Sequence, residues 1–137
     1  VSDKTKVIAV VNPNNPTGHI FTEAEMDAIV AAADRVGAWI LADEVYRGAE
    51  REQISETASF FGRYEKVIAI GSMSKAYGLP GLRVGWIVGP PDMVEDIWRR
   101  HEYSTDYHRY NAKQPPRSPR AFCRCSPTLN RTCASVY

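Results

Sequence analysis

The sequence predicts an α/β fold with a mostly parallel sheet and flanking helices. Four short apolar runs, at residues 6–11, 38–42, 67–70 and 84–88, have the length of β-strands. They do not alternate with polar residues, which is typical of strands buried on both faces and therefore of parallel sheets. A helical pattern separates the first two runs, as a crossover between parallel strands requires. Little helix separates the last two runs, so we expect that pair to be antiparallel or mixed.

The first predicted helix covers residues 22–36. Thr22 and Glu25 have the spacing of a capping box, and Gly37 follows as a C-terminal stop. The apolar residues of this segment recur at helical spacing and define one buried face: Met26, Ile29, Val30 and Ala33. A second helix is expected over residues 92–103. The polar connection at residues 47–62 is expected to contain a short helical piece at 56–61.

Composition divides the chain near Ser104. Lys and Arg number 11 against 15 acidic residues over residues 1–103, but 6 against 1 over residues 104–137. This basic tail has no helical or strand period, and we expect it to be disordered or out of frame from about residue 105. A nucleic-acid-binding arm is an alternative, as is a partial zinc site of Cys123, Cys125, Cys133 and His108. The cysteine spacing fits zinc poorly, so neither a metal nor a nucleic-acid partner is predicted.

The bulk composition is that of a soluble globular protein. Hydrophobic residues make up 44% and charged residues 24% of the chain. The sequence contains no apolar run of about 18 residues, the length that crosses a bilayer. The first residues are not followed by the apolar stretch and cleavage site of a secretory signal. We therefore expect a cytoplasmic protein that has no membrane partner.

Polar motifs follow three of the predicted strands. They are NPNNPTG at residues 12–18, Asp43 with the three residues after it, and the loop that begins at Gly71. In α/β sheets, ligands bind where loops leave the carboxyl ends of the strands. The three motifs therefore predict one common site.

Lys75 is the candidate nucleophile of this site. A lysine in a Ser/Gly-rich loop after a buried strand can be partly desolvated, which makes a neutral amine available for attack on an aldehyde. The hydroxyls of Ser72 and Ser74 and the guanidinium of Arg83 offer donors for a phosphate beside it. For each charged residue alone, the alternatives are a solvated surface lysine and an arginine paired with a surface carboxylate.

Asp43, Tyr46 and Asn15 complete the predicted constellation. A carboxylate at the end of a buried strand needs a cationic or donor partner, such as a protonated ring nitrogen. The Tyr46 phenol and the Asn15 amide can donate to a ring oxygen. A helix or turn cap at Asp43, and an ordinary Asx/Pro turn at Asn15, are the structural alternatives.

The motifs in combination resemble those of the class I/II aminotransferases, pyridoxal-phosphate (PLP) enzymes of fold type I. NPNNPTG, DEVY and SMSKAYGLPGLRVGW occur in that order, each after a predicted strand, and the resemblance covers residues 1–103. It implies that these residues are part of a PLP-binding large domain. It also implies that Lys75 forms a Schiff base with the cofactor and that Asp43 pairs with its pyridine nitrogen.

The remaining roles also follow from the resemblance. Asn15 and Tyr46 would bind the ring hydroxyl oxygen, and Ser72, Ser74 and Arg83 would bind the phosphate. The implied reaction transfers an amino group between an amino acid and a 2-oxo acid, in an enzyme that assembles as a homodimer. A PLP-dependent lyase, decarboxylase or synthase, or a non-catalytic aminotransferase-like remnant or regulator domain, would share the same cofactor residues.

The resemblance also implies parts that this sequence does not show. A phosphate-binding Gly-rich loop and a ring-stacking aromatic residue would precede residue 1, and a small domain with a substrate-binding arginine would follow residue 103. Arg99 and Arg100 do not occupy the matching position. We therefore expect the 137-residue chain alone to bind PLP weakly and to be inactive.

Overall fold

A computed structural model of the chain describes residues 1–51, 55–109 and 132–136. In this part of the chain, one sheet has five strands in the order of the sequence. They are β1 (Val7–Val11), β2 (Trp39–Asp43), β3 (Val67–Ser72), β4 (Gly85–Gly89) and β5 (Thr132–Val136). The pairs β1–β2 and β2–β3 are parallel, whereas β3–β4 and β4–β5 are antiparallel. The predicted α/β class and the antiparallel last pair of apolar runs are confirmed.

Helix α1 (Glu23–Val36) has the ends that the sequence predicts. The Thr22 hydroxyl accepts the Glu25 backbone N–H, and the Glu25 carboxylate accepts the Thr22 backbone N–H at 2.7 Å. This reciprocal pair satisfies two backbone donors that the first turn leaves without partners. Gly37 ends the helix in the left-handed conformation, with φ of 65°.

The core lies between α1 and one face of the sheet. It consists of buried side chains from α1, from β2 and β3, and from the connection after β2: Met26, Ala33, Ile40, Ala42, Phe60, Val67 and Ala69. Helix α2 (Pro91–Arg109) contacts β4 and β5. There Val94 lies close to Gly89, where an added Cβ would be 3.6 Å from Val94 Cγ2.

The connection between β2 and β3 differs from its prediction. Residues 56–61 form no helix. Their backbone N–H groups donate to side chains instead: the Glu50 carboxylate accepts the Thr57 N–H, and the Glu44 carboxylate accepts the Phe60 N–H. Such side-chain acceptors compete with helical hydrogen bonds.

The region after residue 103 also differs from its prediction in two places. Helix α2 continues to Arg109, and Thr132–Val136 pairs with β4 although the sequence shows no strand period there. An edge strand presents free backbone N–H and C=O groups, which a short extended segment can pair with whatever its side-chain pattern. Residues 110–131, including Cys123 and Cys125, lie outside the described residues, so the domain boundary and the disordered or out-of-frame tail stay predictions. No helix of the described part is both long and apolar enough to cross a bilayer.

Candidate cofactor site

The three motifs lie together at the carboxyl ends of β1, β2 and β3. Val11 is opposite Asp43 across β1–β2, and Asp43 is opposite Ile70 across β2–β3. Because these strands are parallel, the loops that follow them leave the sheet together. A backbone hydrogen bond of 2.9 Å from the Asn12 N–H to the Asp43 carbonyl extends the pairing beyond β1.

Asn15 and Tyr46 meet above these strand ends. The Asn15 side-chain amide donates to the Tyr46 hydroxyl at 3.1 Å, although the two residues are 31 positions apart. Within the first loop, the Asn14 side-chain amide donates to Thr17 Oγ1 at 2.6 Å and the Gly18 N–H donates to the Asn14 carbonyl at 2.7 Å. The loop therefore forms a closed turn that presents the Asn15 amide toward the second motif.

Lys75 lies beside the same phenol ring. Its Nζ is 5.5 Å from the centroid of the Tyr46 ring, a cation–π distance, and its side chain is exposed. Backbone hydrogen bonds from Gly78 to Lys75 and from Leu79 to Met73 hold the loop that carries it. The structure therefore brings together Lys75, Tyr46 and Asn15.

Asp43 is half-buried at the end of β2. Its Oδ1 accepts the Val45 backbone N–H at 3.2 Å, which is a turn-type contact. Among the described residues, its second carboxylate oxygen has no hydrogen-bond partner. That oxygen can accept a hydrogen bond from a protonated group such as a ring nitrogen.

Ser72, Ser74 and Arg83 are joined less directly. Ser72 Oγ accepts the Ser74 N–H at 3.0 Å and donates to the Val84 carbonyl at 3.3 Å. The Arg83 guanidinium is exposed and donates to the Pro80 carbonyl at 3.2 Å within its own loop. Arg83 also has a φ of 51°, a left-handed conformation that costs a non-glycine residue roughly 1–2 kcal/mol. The common phosphate site of these residues stays a prediction.

Two polar residues of the site region were not predicted, although both lie within the quoted motifs. Asn12 is fully buried, and Glu44 retains only 7% of its surface exposure. Burial raises the pKa of the Glu44 carboxyl above its ordinary value, while hydrogen bonds from Phe60 and Ser59 oppose that shift. The sequence could have indicated both residues by their place directly after an apolar strand, Asn12 before Pro13 and Glu44 after Asp43. A polar side chain buried at such a place requires hydrogen-bond partners.

A cavity of about 280 Å³ lies beside this site. Its walls include Glu44, Arg47, Gly71, Tyr77 and Trp86. Lys75, Asp43 and Asn15 do not line it. Ser72, a predicted phosphate ligand, does line it together with Glu44, so the cavity borders the start of the Lys75 loop without including the Lys75 amine.

The polar groups of the loop site fit PLP. An amine, a carboxylate and a paired amide and phenol correspond to the aldehyde, the ring nitrogen and the ring oxygen of that cofactor. A family profile described as aminotransferase class I and II matches residues 1–104. The chain belongs to the class I and II aminotransferases. The family prediction is thereby confirmed for the part of the chain that carries all three motifs.

Individual relatives agree with this assignment. A kynurenine–oxoglutarate transaminase from Dictyostelium discoideum is 34% identical over 106 residues, covering 74% of this chain and 24% of the relative. A histidinol-phosphate aminotransferase from Haemophilus influenzae is 38% identical over 96 residues, which cover 69% of this chain and 26% of that relative. The crystal structure of a PLP-dependent aminotransferase from Streptococcus suis has a TM-score of 0.65 at 39% identity, covering 78% of this chain and 27% of that one.

The chain thus spans about a quarter of the length of the curated relatives it matches. These relatives are named for different compounds, kynurenine and histidinol phosphate. Similarity to them therefore assigns the aminotransferase family without selecting a substrate.

Proposed function

We propose that this chain supplies part of the PLP site of an aminotransferase, which transfers an amino group between an amino acid and a 2-oxo acid. The observation that carries the proposal is the convergence of the Lys75 amine, the Tyr46 ring and the Asn15 amide at one sheet edge. The transaminase names of the matched relatives favour this reaction over lyase, decarboxylase or synthase chemistry.

Each side chain has a distinct role in this proposal. The Lys75 amine would hold the cofactor covalently, and as a free amine it would hold a substrate proton at Nζ. The Asp43 carboxylate would keep a proton on the ring nitrogen, and Tyr46 and Asn15 would donate to the ring oxygen. When bound, PLP supplies the ring that accepts electrons from the substrate carbon.

The phosphate would be held by the groups around the start of the Lys75 loop. Ser72 ends β3 and Ser74 follows it. The Val84 carbonyl, just before β4, accepts the Ser72 hydroxyl and the Met73 N–H. Arg83 is adjacent to Val84 and is therefore near these serines. A change of its side-chain rotamer would release the guanidinium from the Pro80 carbonyl. An arginine fork is suited to two phosphate oxygens at once.

We expect the 137-residue chain alone to bind PLP weakly and to show no turnover. The Lys75 amine is exposed to water, and the Arg83 guanidinium is held in its own loop. The guanidinium must therefore leave the Pro80 carbonyl, and the amine must lose its water, before they hold a ligand, and both changes lower affinity. A cytoplasmic location and homodimer assembly are proposed together with the family reaction.

The test is covalent trapping of PLP on the purified chain. Incubation with excess PLP, reduction with borohydride and peptide mass spectrometry would measure how much label each lysine carries. We expect Lys75 to carry more label than any other lysine, and Lys75→Arg to remove that excess. Lys4→Arg, at an exposed position outside the site, is the matched control and should leave the labelling of Lys75 unchanged. Equal labelling of Lys75 and the surface lysines would refute the proposed site.

A further inference from the structure

Asn12 and Glu44 are buried polar residues that attach two site loops to one short segment. Residues 58–60 form this segment, the brace. We propose that Asn12 and Glu44 are positioning residues, which set the Asn15–Tyr46 hydrogen bond by fixing both loops to the brace. The role assigned to them rests on the proposed function, because the pair they position is the pair of donors for the cofactor ring oxygen.

Asn12 closes the first loop at its base. Its Oδ1 accepts the Phe21 backbone N–H at 3.0 Å, so the loop that leaves β1 returns to the residue at which it started. Its Nδ2 donates to the Ala58 carbonyl at 3.5 Å, across 46 positions of sequence. Since Asn12 is fully buried, water cannot replace these contacts without opening the core.

Glu44 attaches the second motif to the same brace. Its Oε1 accepts the Ser59 hydroxyl and the Phe60 N–H, each at 2.9 Å. Its backbone N–H donates to the Ile70 carbonyl at 2.8 Å, and its carbonyl accepts the Arg47 N–H at 2.9 Å. The turn that carries Tyr46 is therefore held by the Glu44 side chain, by β3 and by its own closing hydrogen bond.

The positioned pair needs such support. The Asn15–Tyr46 hydrogen bond is exposed and joins two loops that are distant in sequence. An exposed hydrogen bond contributes little net free energy, because water competes for both groups. Its geometry therefore depends on how firmly each loop is anchored elsewhere, and the buried anchors of both loops converge on the brace.

The experiment measures the pair in the cofactor-free chain by heteronuclear NMR. The side-chain amide signals of Asn15 and the ring signals of Tyr46 report whether the hydrogen bond forms. Tyr46→Phe, which lacks the hydroxyl, defines the signals of Asn15 without its partner. Glu44→Leu removes the acceptor and keeps an apolar side chain, whereas Glu44→Gln keeps an acceptor oxygen at the same place.

A matched control loses the same kinds of hydrogen bond away from the brace. The Glu25 carboxylate also accepts a backbone N–H and a hydroxyl, both from Thr22. Glu25→Leu therefore removes equivalent contacts without touching Asn12, Glu44 or the brace. It also removes the ion pair of Glu25 with His19 at 3.2 Å, and His19→Ala, which lacks that pair as well, measures this part separately. We expect its Asn15 signals to stay at their wild-type positions.

For Glu44→Leu we expect the Asn15 amide signals to move at least half of the way to those of Tyr46→Phe. Glu44→Gln should stay close to wild type, and Ser59→Ala, which removes one of the two donors, should give a smaller shift in the same direction. A folded Glu44→Leu with wild-type Asn15 signals would overturn the proposal, as would equal shifts in Glu44→Gln and Glu44→Leu.

If Glu44→Leu does not fold, Ser59→Ala decides, and an unshifted Asn15 signal in that variant overturns the proposal. All of these measurements are made without PLP. Failure of Lys75 labelling would therefore refute the proposed function alone, and an unshifted Asn15 signal would refute the positioning role alone.

Discussion

Gly71 lies directly beneath the Trp86 indole, so that even one added methyl group should be costly. The two residues are paired across β3–β4. A Cβ at position 71 would be 2.3 Å from Trp86 Cε2, 2.4 Å from Nε1 and 2.5 Å from Cζ2. Ordinary contacts begin at 3.4 Å, so in Gly71→Ala the ring must withdraw by about 1 Å.

The size of the effect follows from what surrounds the indole. Trp86 has an edge-to-face contact with Tyr77 at 6.1 Å between ring centroids, and it forms part of the wall of the neighbouring cavity. The cavity gives the ring space to move, so the chain should still fold. Overpacking of this kind costs about 1–3 kcal/mol in the free energy of unfolding.

Chemical denaturation followed by circular dichroism measures this cost. Gly81→Ala is the matched control, because no atom of the described residues lies within 4 Å of a Cβ added there, and it should change the free energy of unfolding by less than about 0.5 kcal/mol. In the background of Trp86→Leu, Gly71→Ala should lose most of its cost. Wild-type stability of Gly71→Ala, or the same cost with and without the indole, would refute the reasoning.

Three further predictions concern the core, the first helix and pH. Phe60→Ala should destabilise the chain by about 3–5 kcal/mol, because Phe60 is fully buried in the core, and thermal unfolding would show it. Thr22→Ala should cost about 1 kcal/mol in denaturant unfolding, since it removes the capping box, while Thr22→Ser should recover most of it. Burial raises the pKa of Glu44, so the folded chain keeps this proton to higher pH than the unfolded chain. The stability that the proton contributes is complete below the ordinary value of 4.5 and is lost as pH rises through the folded value; Glu44→Gln should remove this loss.

Each of these predictions has an outcome that contradicts it. A Phe60→Ala chain with wild-type unfolding temperature would mean that the brace does not belong to the core. Equal stability of Thr22→Ala and Thr22→Ser would show that the hydroxyl does not cap the helix. Parallel pH profiles for Glu44→Gln and wild type, above the ordinary value of 4.5, would show that the buried carboxyl does not affect folding.

Much of the fold was readable from local patterns. The capping box at Thr22 and Glu25, the stop at Gly37 and the uninterrupted apolar strands depend on neighbours in sequence, and the structure has all of them. The predicted helical piece at residues 56–61 failed for the opposite reason. Its backbone donors bind carboxylates that are provided by other parts of the chain.

The family of this chain was determined by the sequence alone, because three motifs in order at strand ends specify the residue types that PLP chemistry needs. The identity of Lys75 as the candidate nucleophile also came from that order. The residues around Lys75 could not be predicted in this way, because its contact with Tyr46 depends on the register of the parallel strands.

Only the tertiary structure decided how the site is held together. Asn12 reaches a residue 46 positions away, Glu44 reaches one 16 positions away, and the Trp86 indole covers Gly71 across an antiparallel pair. None of these contacts has a sequence period, since each depends on where separate segments are placed by the packed core. The residues that carry the chemistry can therefore be predicted from their type and order, whereas the buried side chains that position them become visible only when the chain is folded.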